Sequence, residues 1–165
     1  MRAKVQPIPP GFRTVTPYLI IKGAAQAIDF YERAFGARER CRFPGPDGKT
    51  IAHAEVVIGD SIVMLADEFP EFGHTSPQTL RGTPVSFTLY VEDADAAFEQ
   101  AVAAGATVKQ PLETKFYGDR SGCVTDPFGH QWTLMTHVED VSAGEMERRL
   151  AAFYAGLAAD ARKRG

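Results

Sequence analysis

Two side chains that could share a proton or a metal ion lie two positions apart, His53 and Glu55. If this segment is a β-strand, both point to the same side of its sheet. An imidazole and a carboxylate so placed can form an acid–base pair, in which the glutamate orients the ring, or can bind one metal ion together. The simpler alternative is hydrogen bonding on a solvated or pocket-lining face. We favour that alternative, because two ligands alone do not make a metal site.

A second polar cluster contains Tyr117, Asp119 and Arg120 and precedes the last predicted hairpin. An arginine guanidinium can hold the carboxylate or phosphate of a ligand through two parallel hydrogen bonds. In that case Arg120 would hold the ligand, and Asp119 would be the partner of Arg120. Alternatively, Asp119 and Arg120 pair with the backbone and with each other and simply fix a loop, since arginine serves both purposes. The sequence leaves both possibilities open.

Several aromatic residues lie in or beside the predicted strands. They are Phe87, Tyr90, Phe116, Tyr117 and Trp132. Most are expected in the core, where aromatic residues of alternating strands usually lie. A few at a pocket rim would suit a flat or hydrophobic ligand, so Tyr90 and Trp132 join the two polar clusters as candidate ligand-binding residues. The sequence has no P-loop, dinucleotide-binding or serine-nucleophile motif.

The composition narrows the class of protein. With 165 residues, 44% hydrophobic and 24% charged, the chain suits one globular domain. A net charge of −3, without a basic run before the C-terminal tail, argues against a nucleic-acid partner. No segment has the ~20 apolar residues that cross a bilayer, and no signal-peptide core begins the chain, so we expect a cytoplasmic protein without a membrane partner. Two cysteines are too few for a disulfide scaffold.

A repeated spacing indicates two similar halves. Gly36 and Gly105 each end a predicted helix and lie 69 positions apart, while the hairpin glycines Gly59 and Gly129 lie 70 apart. Each half is predicted to run strand, helix, then further strands. The fold class is therefore α+β, with repeats at 13–68 and 83–138 and a linker at 69–82.

A C-terminal amphipathic helix is predicted over 142–163. It begins with a capping box at Ser142 and Glu145 and then shows one apolar stripe. The stripe consists of Met146, Leu150, Phe153 and Leu157. Either the core of the same chain or a second subunit must cover it, and we expect a homodimer with part of the stripe at the contact.

Several motifs resemble the PhnB-like branch of the vicinal oxygen chelate superfamily. They are Gly118-Asp-Arg-Ser-Gly122, Asp126-Pro-Phe-Gly-His130, Thr136-His-Val-Glu-Asp140, Leu89-Tyr-Val-Glu-Asp93 and His53-Ala-Glu55. Glyoxalases, bleomycin resistance proteins and extradiol dioxygenases would then be distant relatives. The resemblance implies a single domain over 13–138, in which tandem βαβββ repeats form a curved mixed sheet around a cavity.

The resemblance also implies where a metal would be bound. Enzymes of this superfamily usually hold a divalent ion with side chains from the first and last strands of each repeat, which correspond here to Thr16, Val63, Ser86 and Thr133. Valine and hydroxyl groups are poor ligands for such ions. A one-residue shift in register would exchange the two faces of a strand, but the neighbouring residues offer no strong ligand either.

We therefore expect a protein that binds a small organic molecule between its repeats, with no cofactor and without the usual metal. The alternative is a metal-dependent lyase, isomerase or dioxygenase with a shifted site that includes His53 and Glu55. A third possibility is an interaction protein whose main surface is the C-terminal helix.

Overall fold

Two repeats of the same strand and helix order make up most of the chain in the computed structural model, which describes residues 5–164. The first repeat comprises β1 (Tyr18–Ile21), α1 (Ala24–Phe35), β2 (Arg38–Pro44), β3 (Ile51–Ile58) and β4 (Ser61–Asp67). A 3-10 turn (Pro70–Phe72) and the short helix α2 (Pro77–Leu80) follow in the linker. The second repeat comprises β5 (Ser86–Tyr90), α3 (Ala94–Ala104), β6 (Thr107–Thr114), β7 (Asp119–Thr125) and β8 (Gln131–His137), and helix α4 (Ala143–Arg164) ends the described chain.

Each repeat forms its own four-stranded mixed sheet. The strand orders are β1-β4-β3-β2 and β5-β8-β7-β6, with the same pattern of pairing in both. The first and last strands of a repeat are parallel, while its other neighbours are antiparallel. The predicted α+β fold of tandem βαβββ repeats with a C-terminal helix is thus confirmed.

The two repeat helices end where the glycine spacing predicts. Gly36 at the end of α1 and Gly105 at the end of α3 have φ of 63° and 119°, a left-handed conformation that glycine adopts without steric cost. Helix α3 also has a side-chain cap, because the Asp93 carboxylate accepts a hydrogen bond from the backbone N–H of Ala96 at 3.0 Å. Local chemistry therefore sets the length of both helices.

The hydrophobic core lies between the helices and one face of each sheet. Helices α1 and α3 also pack on each other. The apolar side chains that alternate along the strands toward the helices are buried. They include Leu19, Ile21, Ala54, Val56, Val63, Leu65, Val124, Trp132 and Leu134. The opposite face of the first sheet carries the polar side chains of His53 and Glu55, both half-buried.

One buried carboxylate joins the repeats. Asp126, in the turn before β8, is only 4% exposed. Its oxygens accept hydrogen bonds from Tyr31 Oη of α1 at 2.8 Å and from Trp132 Nε1 at 2.9 Å. They also accept the backbone N–H groups of Phe128 and His130, each at 2.9 Å. All four donors are thereby satisfied inside the core, where an unpaired polar group would be costly.

A glycine makes the turn into β7 possible. Gly118 has a φ of +96°, and a Cβ there would overlap the backbone carbonyl oxygen of Glu139. Its own carbonyl accepts hydrogen bonds from the N–H groups of Val138 and Glu139 at 2.9 and 3.0 Å. Gly59 also has a positive φ, +59°, but open space surrounds its Cβ position.

Helix α4 is attached mainly at its first turns. Arg149 bonds Glu139 at 2.6 Å and Glu145 at 2.8 Å, and the Phe153 ring stacks on Phe116 at 4.9 Å. Met146 and Leu150 of the predicted stripe are half-buried, whereas Phe153 and Leu157 remain 46% and 52% exposed, so the described chain leaves the C-terminal half of the stripe uncovered. Among the described helices, none combines the length and the apolar character needed to cross a membrane.

Candidate functional site

A row of hydrogen-bonded polar side chains lies on the face of the first sheet that α1 does not cover. Tyr18 Oη lies 3.2 Å from His53 Nδ1, and His53 Nε2 lies 3.4 Å from Glu55 Oε1. Glu55 Oε2 accepts a hydrogen bond from Arg40 at 2.8 Å. The side-chain period of two places His53 and Glu55 together, as the sequence predicts. The structure adds Tyr18 from β1 and Arg40 from β2.

Cys41 belongs to the same group, although the sequence alone does not indicate this. It is the cross-strand partner of Glu55. One donor atom each from Cys41, His53 and Glu55 lie within 4.8 Å of one another, and all three residues are half-buried. Burial, followed by the nearby Glu55 charge, raises the pKa of the Cys41 thiol. The sequence could not place Cys41 beside Glu55, because a bulge between Glu39 and Cys41 shifts the register of β2 against β3.

A cleft of about 440 Å³ lies between the two repeats. Its apolar lining comes from both halves and includes Phe35, Ile58, Leu89 and Leu134. Its polar groups are those of Asp60, Ser61, Thr88, Tyr90 and Gln100. The exposed Asp60 carboxylate is paired with Arg13 at 3.4 Å. The cleft can therefore surround a small, largely apolar molecule and offer it a few hydrogen bonds.

The two aromatic candidates have different positions. Tyr90 ends β5 at the cleft and is 70% exposed. Trp132 is 1% exposed, donates its N–H to Asp126, and packs in the core against Phe35 and Phe87. A smaller cavity of about 230 Å³ touches Trp132. Its contacts give Trp132 a structural role, because the alternation of β8 turns it toward the helices.

The second polar cluster does not converge on a ligand site. Asp119 and Arg120 are adjacent on β7, so their side chains point to opposite faces and do not pair with each other. Arg120 instead binds both carboxylate oxygens of Asp95 on α3, each at 2.5 Å, which lowers the pKa of that carboxyl. Asp119 bonds His137 Nδ1 at 2.7 Å. The guanidinium fork is therefore already occupied by a protein carboxylate.

Tyr117 and His137 complete the description of this region. Tyr117 is half-buried and packs edge-on against Phe116 at 5.3 Å. Hydrogen bonds that the His137 ring donates to the carboxylates of Asp140 and then Asp119 raise the pKa of His137. Neither side chain lines the cleft between the repeats.

Comparison with known proteins identifies the family. The model of the glyoxalase/bleomycin resistance protein/dioxygenase superfamily matches residues 13–134. The chain belongs to this superfamily. An uncharacterized protein of Mycobacterium tuberculosis H37Rv, Rv0887c, is 45% identical over 141 residues, which cover 84% of this chain and 82% of that protein.

Solved structures of the superfamily fold give the same result. TioX from Micromonospora sp. ML1 is 29% identical, with a TM-score of 0.59 over 79% of this chain and 100% of TioX. The PhnB protein of Bacillus cereus shares the fold at 18% identity, with a TM-score of 0.59 over 75% of this chain and 99% of that protein. The predicted superfamily is therefore confirmed, and a PhnB protein is among the structural neighbours.

The usual metal of the superfamily does not fit the residues at the positions inferred for it. The Thr16 hydroxyl donates to the backbone carbonyl of Arg13 at 3.0 Å, and Ser86 is exposed. Val63 is 4% exposed and packs in the core. The residue of β4 on the opposite face, which also carries His53 and Glu55, is its neighbour Met64. This is the one-residue shift that the sequence left open. Thr133 and the thioether of Met64 add no carboxylate, imidazole or thiolate, which such ions prefer.

Proposed function

We propose that this protein binds a small organic molecule in the cleft between its repeats, without the usual metal of its superfamily. The observation that carries the proposal is the cleft itself, whose volume of about 440 Å³ lies in the range of small-molecule sites. Both repeats contribute to its lining, so the ligand would contact the two halves at once. The two free cysteines are consistent with a reducing, cytoplasmic location.

The lining also favours one class of ligand. Among the described residues, Asp60 is the charged side chain of the cleft, and Arg13 already pairs with it. Phe35, Leu89 and Leu134 offer apolar surface. A neutral or weakly basic molecule with an apolar body and one or two hydrogen-bonding groups matches this surface, whereas a multiply charged anion would lose its hydration without a cationic partner.

Ligand-observed NMR with a library of neutral and weakly basic aromatic fragments tests this proposal. Thr88 lines the cleft from the edge strand β5 and is exposed, so Thr88→Trp should fill the cleft without disturbing the core. We expect at least tenfold weaker binding of the fragments that bind the unmodified protein. Ser86→Trp is the matched control, since Ser86 is exposed on the same face of β5 but outside the cleft.

Three results would overturn the proposal. The first is a library without a single binder, and the second is equal fragment affinity in Thr88→Trp and the unmodified protein. The third is a loss of affinity in the Ser86→Trp control as large as in Thr88→Trp, which would place the binding outside the cleft.

A second candidate function is favoured by one observation, the position of Cys41 beside His53 and Glu55. A metal-dependent lyase, isomerase or dioxygenase would use these residues instead of the cleft. Such a function requires a bound divalent ion, and a turnover assay with metal-loaded protein would test it.

A further inference from the structure

The feature that extends beyond the proposed function is the group formed by Cys41, His53 and Glu55. Cys41 comes from β2, and the other two come from the adjacent strand β3. The cross-strand pairing of Cys41 with Glu55 brings a thiol beside a carboxylate. The alternation of β3 then places the imidazole on the same face. One donor atom of each residue lies within 4.8 Å of the other two.

The imidazole is held by its surroundings with one nitrogen toward the group. Tyr18 Oη lies 3.2 Å from Nδ1, and the rings of Tyr18 and Phe43 pack on the histidine ring at 5.6 and 6.2 Å. When Nδ1–H donates to Tyr18, the lone pair of Nε2 is directed to Glu55. Metal-binding histidines are typically fixed in this way through their second nitrogen.

The carboxylate is divided between two roles. Arg40 binds Glu55 Oε2 at 2.8 Å, while the guanidinium also lies 5.4 Å from the centre of the Phe12 ring. Oε1 faces His53 Nε2 at 3.4 Å. Two ligand atoms of a tetrahedral zinc ion, each bonded at roughly 2.1 Å, lie about 3.4 Å apart. An ion can therefore replace the contact between His53 and Glu55 and leave the ion pair with Arg40 intact.

We propose that Cys41, His53 and Glu55 bind a zinc ion, with the fourth coordination position open to water or to an exogenous ligand. A thiolate, an imidazole and a carboxylate form a ligand set that zinc favours. Magnesium and calcium prefer oxygen ligands alone and are selected against by the sulfur and the nitrogen. The thiolate and the carboxylate together balance the double positive charge of the ion, and Arg40 remains bound to Glu55 Oε2 at 2.8 Å.

This site differs in position from both others. The usual metal positions of the superfamily lie on the first and last strands of each repeat, whereas these ligands lie on β2 and β3. The cleft between the repeats shares no lining residue with the group. Zinc binding and organic-ligand binding can therefore be tested separately, and either can fail alone.

A cobalt and zinc titration of the untagged, full-length protein tests the site. After removal of metal by a chelator and desalting under a thiol-free reductant, Co²⁺ is added and the thiolate-to-cobalt charge-transfer absorption is followed. Zn²⁺ is then titrated to displace the cobalt, and the zinc content is measured after desalting. The variants are Cys41→Ser, His53→Ala and Tyr18→Phe. The controls are Cys123→Ala, a buried thiol of the second repeat, and His74→Ala, an exposed loop histidine.

We expect one zinc per chain and a thiolate-to-cobalt band that Cys41→Ser abolishes. His53→Ala should weaken zinc binding by about 100-fold or more, and Tyr18→Phe by about 10–100-fold, the usual cost of losing a partner that orients a ligand. The two controls should bind zinc like the unmodified protein. Unfolding curves of the metal-free variants show whether each is folded.

The proposal is overturned by three results. These are the absence of a thiolate-to-cobalt band in the unmodified protein, equal zinc affinity in folded Cys41→Ser, and a loss in Cys123→Ala or His74→Ala that matches the loss in the ligand variants.

Discussion

The substitution Tyr31→Phe would measure how strongly the buried carboxylate joins the two repeats. Tyr31 is fully buried on α1, and its hydroxyl donates to Asp126 of the second repeat at 2.8 Å. Phenylalanine keeps the ring and its packing against Phe35 and Trp132. The substitution therefore removes one hydrogen bond and leaves Asp126 its other three donors.

The expected loss of stability follows from the type of bond. A hydrogen bond to a charged group contributes about 1.5–3 kcal/mol to the free energy of unfolding. Asp126 keeps three hydrogen-bond donors after the substitution, which favours the lower part of this range. We therefore expect the free energy of unfolding to fall by about 2 kcal/mol. For a domain of this size, that loss lowers Tm by about 4–8 °C.

The stability difference should also depend on pH in the alkaline range. Burial, and then the charge and hydrogen bond of Asp126, raise the pKa of Tyr31 well above its usual value. Above a pH of about 10 the unfolded chain ionises this tyrosine while the native protein does not. The native state then binds more protons, and the contribution of Tyr31 to stability falls as pH rises, by up to about 1.4 kcal/mol per pH unit. Below pH 10 this contribution is constant.

Urea unfolding of both proteins at pH 7.5 and at several values above pH 10 would measure both effects. Tyr154→Phe is the matched control, because Tyr154 is 60% exposed on α4. We expect no change for this control at pH 7.5. Equal stability of Tyr31→Phe and the unmodified protein at pH 7.5 would refute the reasoning. A stability difference that does not shrink above pH 10 would refute the alkaline part alone.

Three further predictions concern the turn, the buried histidine and the C-terminal helix. Gly59→Ala should lower the free energy of unfolding by about 1–2 kcal/mol, because alanine is strained in a left-handed backbone. Gly118→Ala should lower it further, since the added Cβ also meets a backbone carbonyl. Urea unfolding measures both losses, and equal losses would contradict this reasoning. Burial lowers the pKa of His130, so the unfolded chain protonates it first and stability should fall as pH drops below about 6.5. His130→Gln should reduce that fall between pH 7.5 and pH 5, and an unchanged acid dependence would count against it. We expect a homodimer by light scattering, with the combined Phe153→Asp and Leu157→Asp substitutions giving monomer; a monomeric unmodified protein at tens of micromolar would contradict the dimer.

The repeat architecture could be predicted from the sequence because its signals are local. Gly36 and Gly105 end their helices through a backbone conformation that belongs to glycine itself, so their spacing in the chain is also a spacing of structural elements. The alternation of β3 likewise fixed that His53 and Glu55 share a face. These inferences need no knowledge of what lies across the sheet.

The roles of the polar candidates could not be predicted, because each depends on a partner distant in the chain. Arg120 is separated from Asp95 by 25 positions, and the packing of α3 on the second sheet brings this carboxylate to a guanidinium for which the sequence left a ligand and a protein partner both open. Trp132 is a candidate ligand-binding residue in the sequence, and only the packing of the two halves shows that it lies in the core and borders the smaller cavity.

The amino-acid sequence by itself determined the two βαβββ halves, the C-terminal helix and the shared face of His53 and Glu55. Only the tertiary structure decided that Cys41 joins this pair and that the cleft forms between the repeats. The physical reason lies in the register and in the packing of the two halves. The bulge between Glu39 and Cys41 sets which residue lies opposite Glu55, and the contact of the two repeats creates a cavity that neither half contains alone.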